Sequence, residues 1–193
     1  MYLGDPIGGR EMYSGSSCYK HIDRLIKERS KLLMVCTPYI DNHYIRFLLK
    51  ESRRKRVMLI SSKASARKLK GLNKVGLGRD AAVFSFIYIA FLFIFHRYWA
   101  MFPILFSVPL IMAVVLLFYS SGMRIEVKII RDKFVHEKMY INDRGAITGS
   151  ANLTFSGTHL NVEHIDILDG GGDDVDRRIK ELRKHFMELW NLG

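Results

Sequence analysis

Between Val135 and Thr154 the chain reads VHEKMYINDRGAITGSANLT, with His136, Lys138, Asp143, Gly149, Ser150 and Asn152 at fixed short intervals. None of the polar side chains in this set belongs in a core without a partner, so they either lie on the surface or form a site. A histidine beside a fixed ammonium is placed to attack, or to protonate, a group whose phosphate oxygens the lysine holds. On a strand, residues two apart share a face, so a strand through 134–141 is expected to point His136 and Lys138 the same way. Gly149 permits a tight turn, and Ser150 and Asn152 supply short donors suited to phosphate oxygens. A lone His-x-Lys would equally suit an exposed strand, and Gly-Ser-Ala-Asn a polar turn.

These residues need a scaffold, and the chain supplies its elements in a readable order. Segment 16–30 opens with serines fit to cap a helix and carries Tyr19, Ile22, Leu25 and Ile26 at helical spacing. The short apolar run 31–40, stopped by Pro38, is expected to be a buried strand, followed by a second helix over 41–53 and a second buried strand over 56–62. Further strands are expected at 124–130, 146–150 and 163–168, with a turn at 143–145. The segment 173–192 starts with acidic residues and places Val175, Ile179, Leu182, Phe186 and Leu189 on one face, the pattern of a long terminal helix. The order of helices and strands predicts an α/β fold with a mixed sheet flanked by helices. The glycine-rich start has no basic stretch leading into an apolar core, so no secretory signal is expected.

The middle of the chain interrupts this pattern. Ala81–Phe95 and Trp99–Tyr119 contain no charged residue, and only His96, Arg97 and Tyr98 separate them. The second run reaches about 31 Å as a helix, enough for the hydrocarbon layer, and the first about 22 Å. A transmembrane helical hairpin over 80–120 is therefore expected, inserted into a domain formed by 1–79 and 121–193. Arg97 is the one basic residue of the intervening turn, whereas both flanks are basic. The positive-inside rule then puts both flanks in the cytoplasm, with two spans and a cytoplasmic catalytic domain.

The net charge is +11, which favours anionic partners. Residues 20–80 hold 17 Lys/Arg against 5 Asp/Glu, whereas 161–193 hold 5 against 8, so the basic surface belongs to the first half. Cys18 and Cys36 lack the spacing of a metal site and are expected to be free and buried.

Taken together, His136, Lys138, Asp143, Gly149, Ser150 and Asn152, with Glu163 downstream, resemble the HKD motif of the phospholipase D superfamily. TPYI (37–40) and the strand RVMLI are similar to that family's N-terminal half. The resemblance implies His136 as the nucleophile on phosphorus, passing through a phosphohistidine. Lys138 and Asn152 would bind the non-bridging oxygens and Ser150 would support that phosphate site. Glu163 would orient the imidazole, Asp143 and Gly149 would support the structure, and neither metal nor cofactor would be needed. The family mechanism uses two histidines, yet His21, His43, His96, His159, His164 and His185 all lack the His-x-Lys context. A homodimer sharing one active site is the economical solution. The first reading is a membrane-anchored phosphodiesterase acting on phospholipid, by hydrolysis or transfer. The alternatives are a membrane-tethered nuclease acting on DNA or RNA, and a catalytically silent membrane scaffold.

Overall fold

A computed structural model describes residues 9–70, 124–131 and 135–192. By its internal contacts the chain divides into two units, Met1–Leu72 with Arg124–Gly193, and Asn73–Met123. All described residues belong to the first. The hairpin expected over 80–120, and the topology built on it, lie outside the described residues. Among the described residues no helix is long and apolar enough to cross a membrane.

The first unit is built on a seven-stranded mixed sheet. Its strands are β1 (Arg10–Gly15), β2 (Leu32–Thr37), β3 (Arg56–Ser62), β4 (Ile125–Ile130), β5 (Met139–Ile141), β6 (Gly145–Gly149) and β7 (Glu163–Asp169). They lie in the order β1-β7-β6-β5-β2-β3-β4. β2, β3 and β4 are parallel, and the remaining neighbours are antiparallel. The helices are α1 (Tyr19–Lys27), α2 (Asn42–Glu51), the short α3 (Ala66–Leu69) and α4 (Asp173–Asn191), with a π-turn at Ser156–Leu160.

The apolar runs of β2 and β3 are buried on both faces because helices cover both. Leu33, Val35, Val57 and Leu59 pack under Ile22 and Ile26 of α1 and Tyr44 and Leu48 of α2. Their alternating neighbours Met34, Cys36, Met58 and Ile60 pack under Val175, Ile179, Phe186 and Leu189 of α4. The stripe read from residues 173–192 is the stripe that is buried, with Leu182 partly covered at its margin. Asp41 caps α2, its Oδ1 accepting from the Tyr44 amide at 3.0 Å. Lys55 is buried at the other end of the sheet. It donates to the Ile26 and Glu28 carbonyls at 2.6 Å each and pairs with Glu51 at 3.5 Å, satisfying the end of α1.

Two local expectations are corrected, one is met, and one element was not anticipated. The strand expected over 134–141 begins only at Met139, so His136 and Lys138 precede it. Val135 and Met139 are core residues, and they supply the apolar alternation without a ladder between them. The apolar run expected to be stopped by Pro38 does end as a strand at Thr37, since proline removes a ladder donor. The serines before α1 do not cap it; Cys18 holds that position and makes no side-chain cap bond. β1 was not anticipated at all. It is an edge strand that exposes Arg10 and Met12, and it is tied to β7 by a bidentate Arg10–Asp166 pair at 2.9 Å.

Candidate active site

One end of the sheet collects the C-terminal ends of β2, β3 and β6 and the N-terminal ends of β5 and β7. Most of the sequence-derived site residues converge there. His136 is exposed and Lys138 is buried, at 6 % exposure. Although neither lies on a strand, their side chains meet. The Lys138 Nζ is 3.2 Å from Nδ1 and 3.3 Å from Nε2 of His136, and donates to the His136 carbonyl at 2.8 Å. Burial lowers the Lys138 pKa from its ordinary value, while the charges of Glu163 and Cys36 act in the opposite sense. The segment is anchored from behind: Glu137, between the two, pairs with His185 of α4 at 2.8 Å. This clamp was missed in the sequence because nothing local links residues 48 positions apart.

Gly149 explains how Ser150 reaches Glu163. Its φ is +155°, and a Cβ there would stand 2.1 Å from the His164 carbonyl oxygen. Only glycine lets β6 approach β7 this closely. Past it, the Ser150 amide donates to the His164 carbonyl at 2.9 Å, and Ser150 Oγ accepts from the His164 amide at 3.0 Å. The single hydroxyl proton of Ser150 goes to Glu163 Oε2 at 2.5 Å, and Asn161 donates to Oε1 at 3.3 Å. Glu163 is thereby fixed by both oxygens, which positions a negative charge beside Lys138.

Asn152 sits in a loop locked to the TPYI segment. Ile40 bridges to Leu153, the Asp41 amide donates to the Leu153 carbonyl at 3.2 Å, and the Phe155 amide donates to Asp41 Oδ2 at 2.5 Å. Thr37 Oγ1 accepts from the Leu153 amide at 3.2 Å and donates to the Tyr39 carbonyl at 2.9 Å. The Asn152 Oδ1 is buried and has no hydrogen-bond partner among the described residues. Such an orphan costs about 1–3 kcal/mol unless a ligand supplies the donor. Asn152 also helps line a cavity of about 320 Å³, together with Tyr39, Ser65, Lys68, Ser156 and Asn161. Tyr39 belongs to the TPYI segment quoted from the sequence, whereas no motif announced Lys68 as part of this region.

Asp143 is not brought to the site. It lies past the opposite end of β5, where its carboxylate accepts a hydrogen bond from the Lys31 amide. Beside it, Asn142 Oδ1 accepts from the Arg144 and Gly145 amides at 2.7 and 2.8 Å, which shapes the β5–β6 turn. Both cysteines are free and buried, and burial pushes Cys18 up to about 11 and Cys36 up to about 12. Among the described residues no cluster of His, Cys, Asp or Glu is arranged to hold a metal ion.

Chemically, the arrangement offers an exposed imidazole, a neighbouring ammonium and a positioned carboxylate at one end of a mixed sheet. Comparison with solved structures finds the same fold. Nuc, a phospholipase D family member from Salmonella typhimurium, superposes with a TM-score of 0.56 at 13% identity, over 95% of this chain and 96% of that one. NucT from Helicobacter pylori gives 0.54 at 12% identity, over 94% of each. An archaeal chromatin protein with a novel mode of DNA binding gives 0.52 at 12% identity; it covers 97% of this chain, which spans 54% of its length. Comparison with curated protein sequences gave no match. The family described as "Cardiolipin synthase, PLD-like domain" matches residues 22–190. With that match running through every site residue named above, the chain belongs to this phospholipase D-like family.

Proposed function

We propose that the protein is a phosphodiesterase of the phospholipase D type, acting on a phospholipid and anchored by the hairpin expected over 80–120. The observation that carries the chemistry is the Lys138 ammonium 3.2 Å from the His136 ring. A phosphate bound by that ammonium stands next to an imidazole nitrogen able to attack phosphorus. In the first step a P–N bond forms, the P–O bond to one alcohol breaks, and an acid protonates the departing oxygen. Lys138 and Asn152 stabilise the charge that grows on the non-bridging oxygens. In the second step water, or another alcohol, attacks the phosphohistidine; the P–N bond breaks and the same acid takes up the proton. Ser150 acts through Glu163, holding the carboxylate that orients the imidazole. The acid is His136 of a second copy, in a homodimer sharing one site.

Support for a lipid substrate comes from the family description and from the two uncharged runs in the sequence. The nuclease reading rests on a different observation: Lys63, Arg67, Lys68 and Lys70 are all exposed just beyond β3, at the site end of the sheet. A polyanion would bind there with strong salt dependence. The two separate in one assay. Purified full-length protein in detergent is offered phospholipids, single-stranded DNA and RNA, with His136→Asn as control. Release of an alcohol from phospholipid is expected; cleavage of nucleic acid alone would replace the lipid reading with the nuclease one.

A further inference from the structure

The cavity beside Asn152 is not accounted for by the phosphate-binding residues. Its volume of about 320 Å³ stands at the lower end of the range for small-molecule sites and suits a small polar group, not an acyl chain. Its lining is hydroxyl- and amide-rich, with Ser65, Ser156, Asn152 and Asn161 beside Tyr39. Lys68 is the one charged residue that lines it among the described residues, and no carboxylate faces it. The Lys68 ammonium makes a long contact of 3.4 Å to the Ile40 carbonyl, leaving donor capacity for a ligand. Two of the walls connect it to the chemistry. Asn152 belongs to the motif, and Asn161 holds Glu163 at 3.3 Å.

We propose that this cavity is a subsite for the alcohol side of the substrate and selects a hydroxylated headgroup that carries its own negative charge. Hydroxyls of that group meet the polar wall formed by Ser156, Asn161 and the Asn152 side chain, and its anionic end pairs with Lys68. A cationic headgroup is disfavoured, since it would meet an ammonium with no carboxylate to offset it. The subsite rests on the lipid phosphodiesterase reading for its place in a reaction, but its binding chemistry stands separately. Specificity of this kind has the size of one charge-assisted hydrogen bond, about tenfold.

The test uses two lipids that differ by one group, phosphatidylglycerol and phosphatidylglycerol phosphate, with full-length protein in mixed micelles. Wild-type protein is expected to favour the phosphorylated headgroup in kcat/KM. Lys68→Met should bring the ratio of the two values close to one, and Lys68→Arg should restore part of it. A ratio that Lys68→Met leaves unchanged overturns the subsite. A second arm titrates free glycerol phosphate and glycerol into wild-type and Lys68→Met protein, with binding read directly. Binding of glycerol phosphate that needs Lys68 supports the subsite even if no phospholipid is turned over, in which case only the reading of the reaction fails. Lys68-dependent discrimination seen with oligonucleotides and not with glycerol phosphate would assign the cavity to nucleic acid and overturn the proposal.

Discussion

The Lys138 ammonium lies almost equidistant from the two ring nitrogens of His136, at 3.2 and 3.3 Å, so neither nitrogen is singled out as its partner. The lysine also donates to the backbone carbonyl of the same histidine at 2.8 Å. The lysine is thereby tied to both the ring and the backbone of the histidine, and on the proposed reading a phosphate held by the lysine would be presented to the ring.

Replacing the nucleophile should remove the reaction. His136→Asn is expected to abolish turnover and the acid-labile phosphoenzyme, while Lys138→Ala should lower kcat/KM by about 10²–10³, as expected for loss of one transition-state donor. Rapid quench with labelled substrate measures both. A phosphoenzyme that persists in His136→Asn would move the nucleophile elsewhere.

The lowered Lys138 pKa gives a signed pH dependence. Activity that needs the ammonium should fall on the alkaline side below the ordinary lysine value of 10.5. Between the lowered pKa and 10.5 the unfolded chain holds more protons at this position, so its contribution to stability rises with pH across that window. The pH profile of kcat/KM and urea midpoints for wild type and Lys138→Arg separate the two effects. An arginine at this position should abolish the alkaline limb if it still supports turnover.

Gly149→Ala should destabilise the fold by about 1–3 kcal/mol or more, because the new methyl group meets the His164 carbonyl oxygen in a conformation that favours glycine. Urea unfolding measures this. Activity per folded molecule should fall as well, since the Ser150–Glu163 contact depends on the same approach of β6 to β7.

Burial that raises Cys18 to about 11 and Cys36 to about 12 makes both thiols inert in the native state. Alkylation by iodoacetamide at pH 8 should be absent from the folded protein and complete after unfolding, as read by mass spectrometry.

Subunit mixing tests the shared site. Co-expression of wild type with His136→Asn should lower activity as the square of the wild-type fraction, because each mixed dimer keeps one imidazole. A linear dependence would mean that each chain works alone. His164 is poorly placed for the second role, since it follows Glu163 on β7 and so faces the opposite side of the sheet.

Much of this site was legible in the chain because its residues are close in sequence. Gly149, Ser150 and Asn152 lie within four positions, and Gly149 was readable only as a residue that permits a tight turn, not as the close approach of β6 to β7. Buried strands announced themselves as apolar runs and α4 by its stripe. Other features were hidden for physical reasons. Edge strand β1 turns only Tyr13 toward the core, so Arg10–Gly15 lacks the apolar alternation that marks a strand. The alternation around His136 is satisfied by core packing of Val135 and Met139 without strand pairing. Lys68 and Asn152 line one cavity in a region where Ser62 and Ser65 both donate to the Pro38 carbonyl and Ser61 to that of Thr37, a tertiary arrangement without a local signature.

The placement of Asp143 at the far end of β5 divides the sheet into two halves with different tolerance to change. His136, Lys138, Ser150, Asn152 and Glu163 occupy one rim, whereas Asp143, Asn142 and Lys55 occupy the other. A saturation library scored for both abundance and turnover should therefore split by rim. Variants at the first should accumulate normally yet work poorly, and those at the second should be scarce yet fully competent once folded. Asp143, the most family-like of the carboxylates in sequence, should fall with the second group.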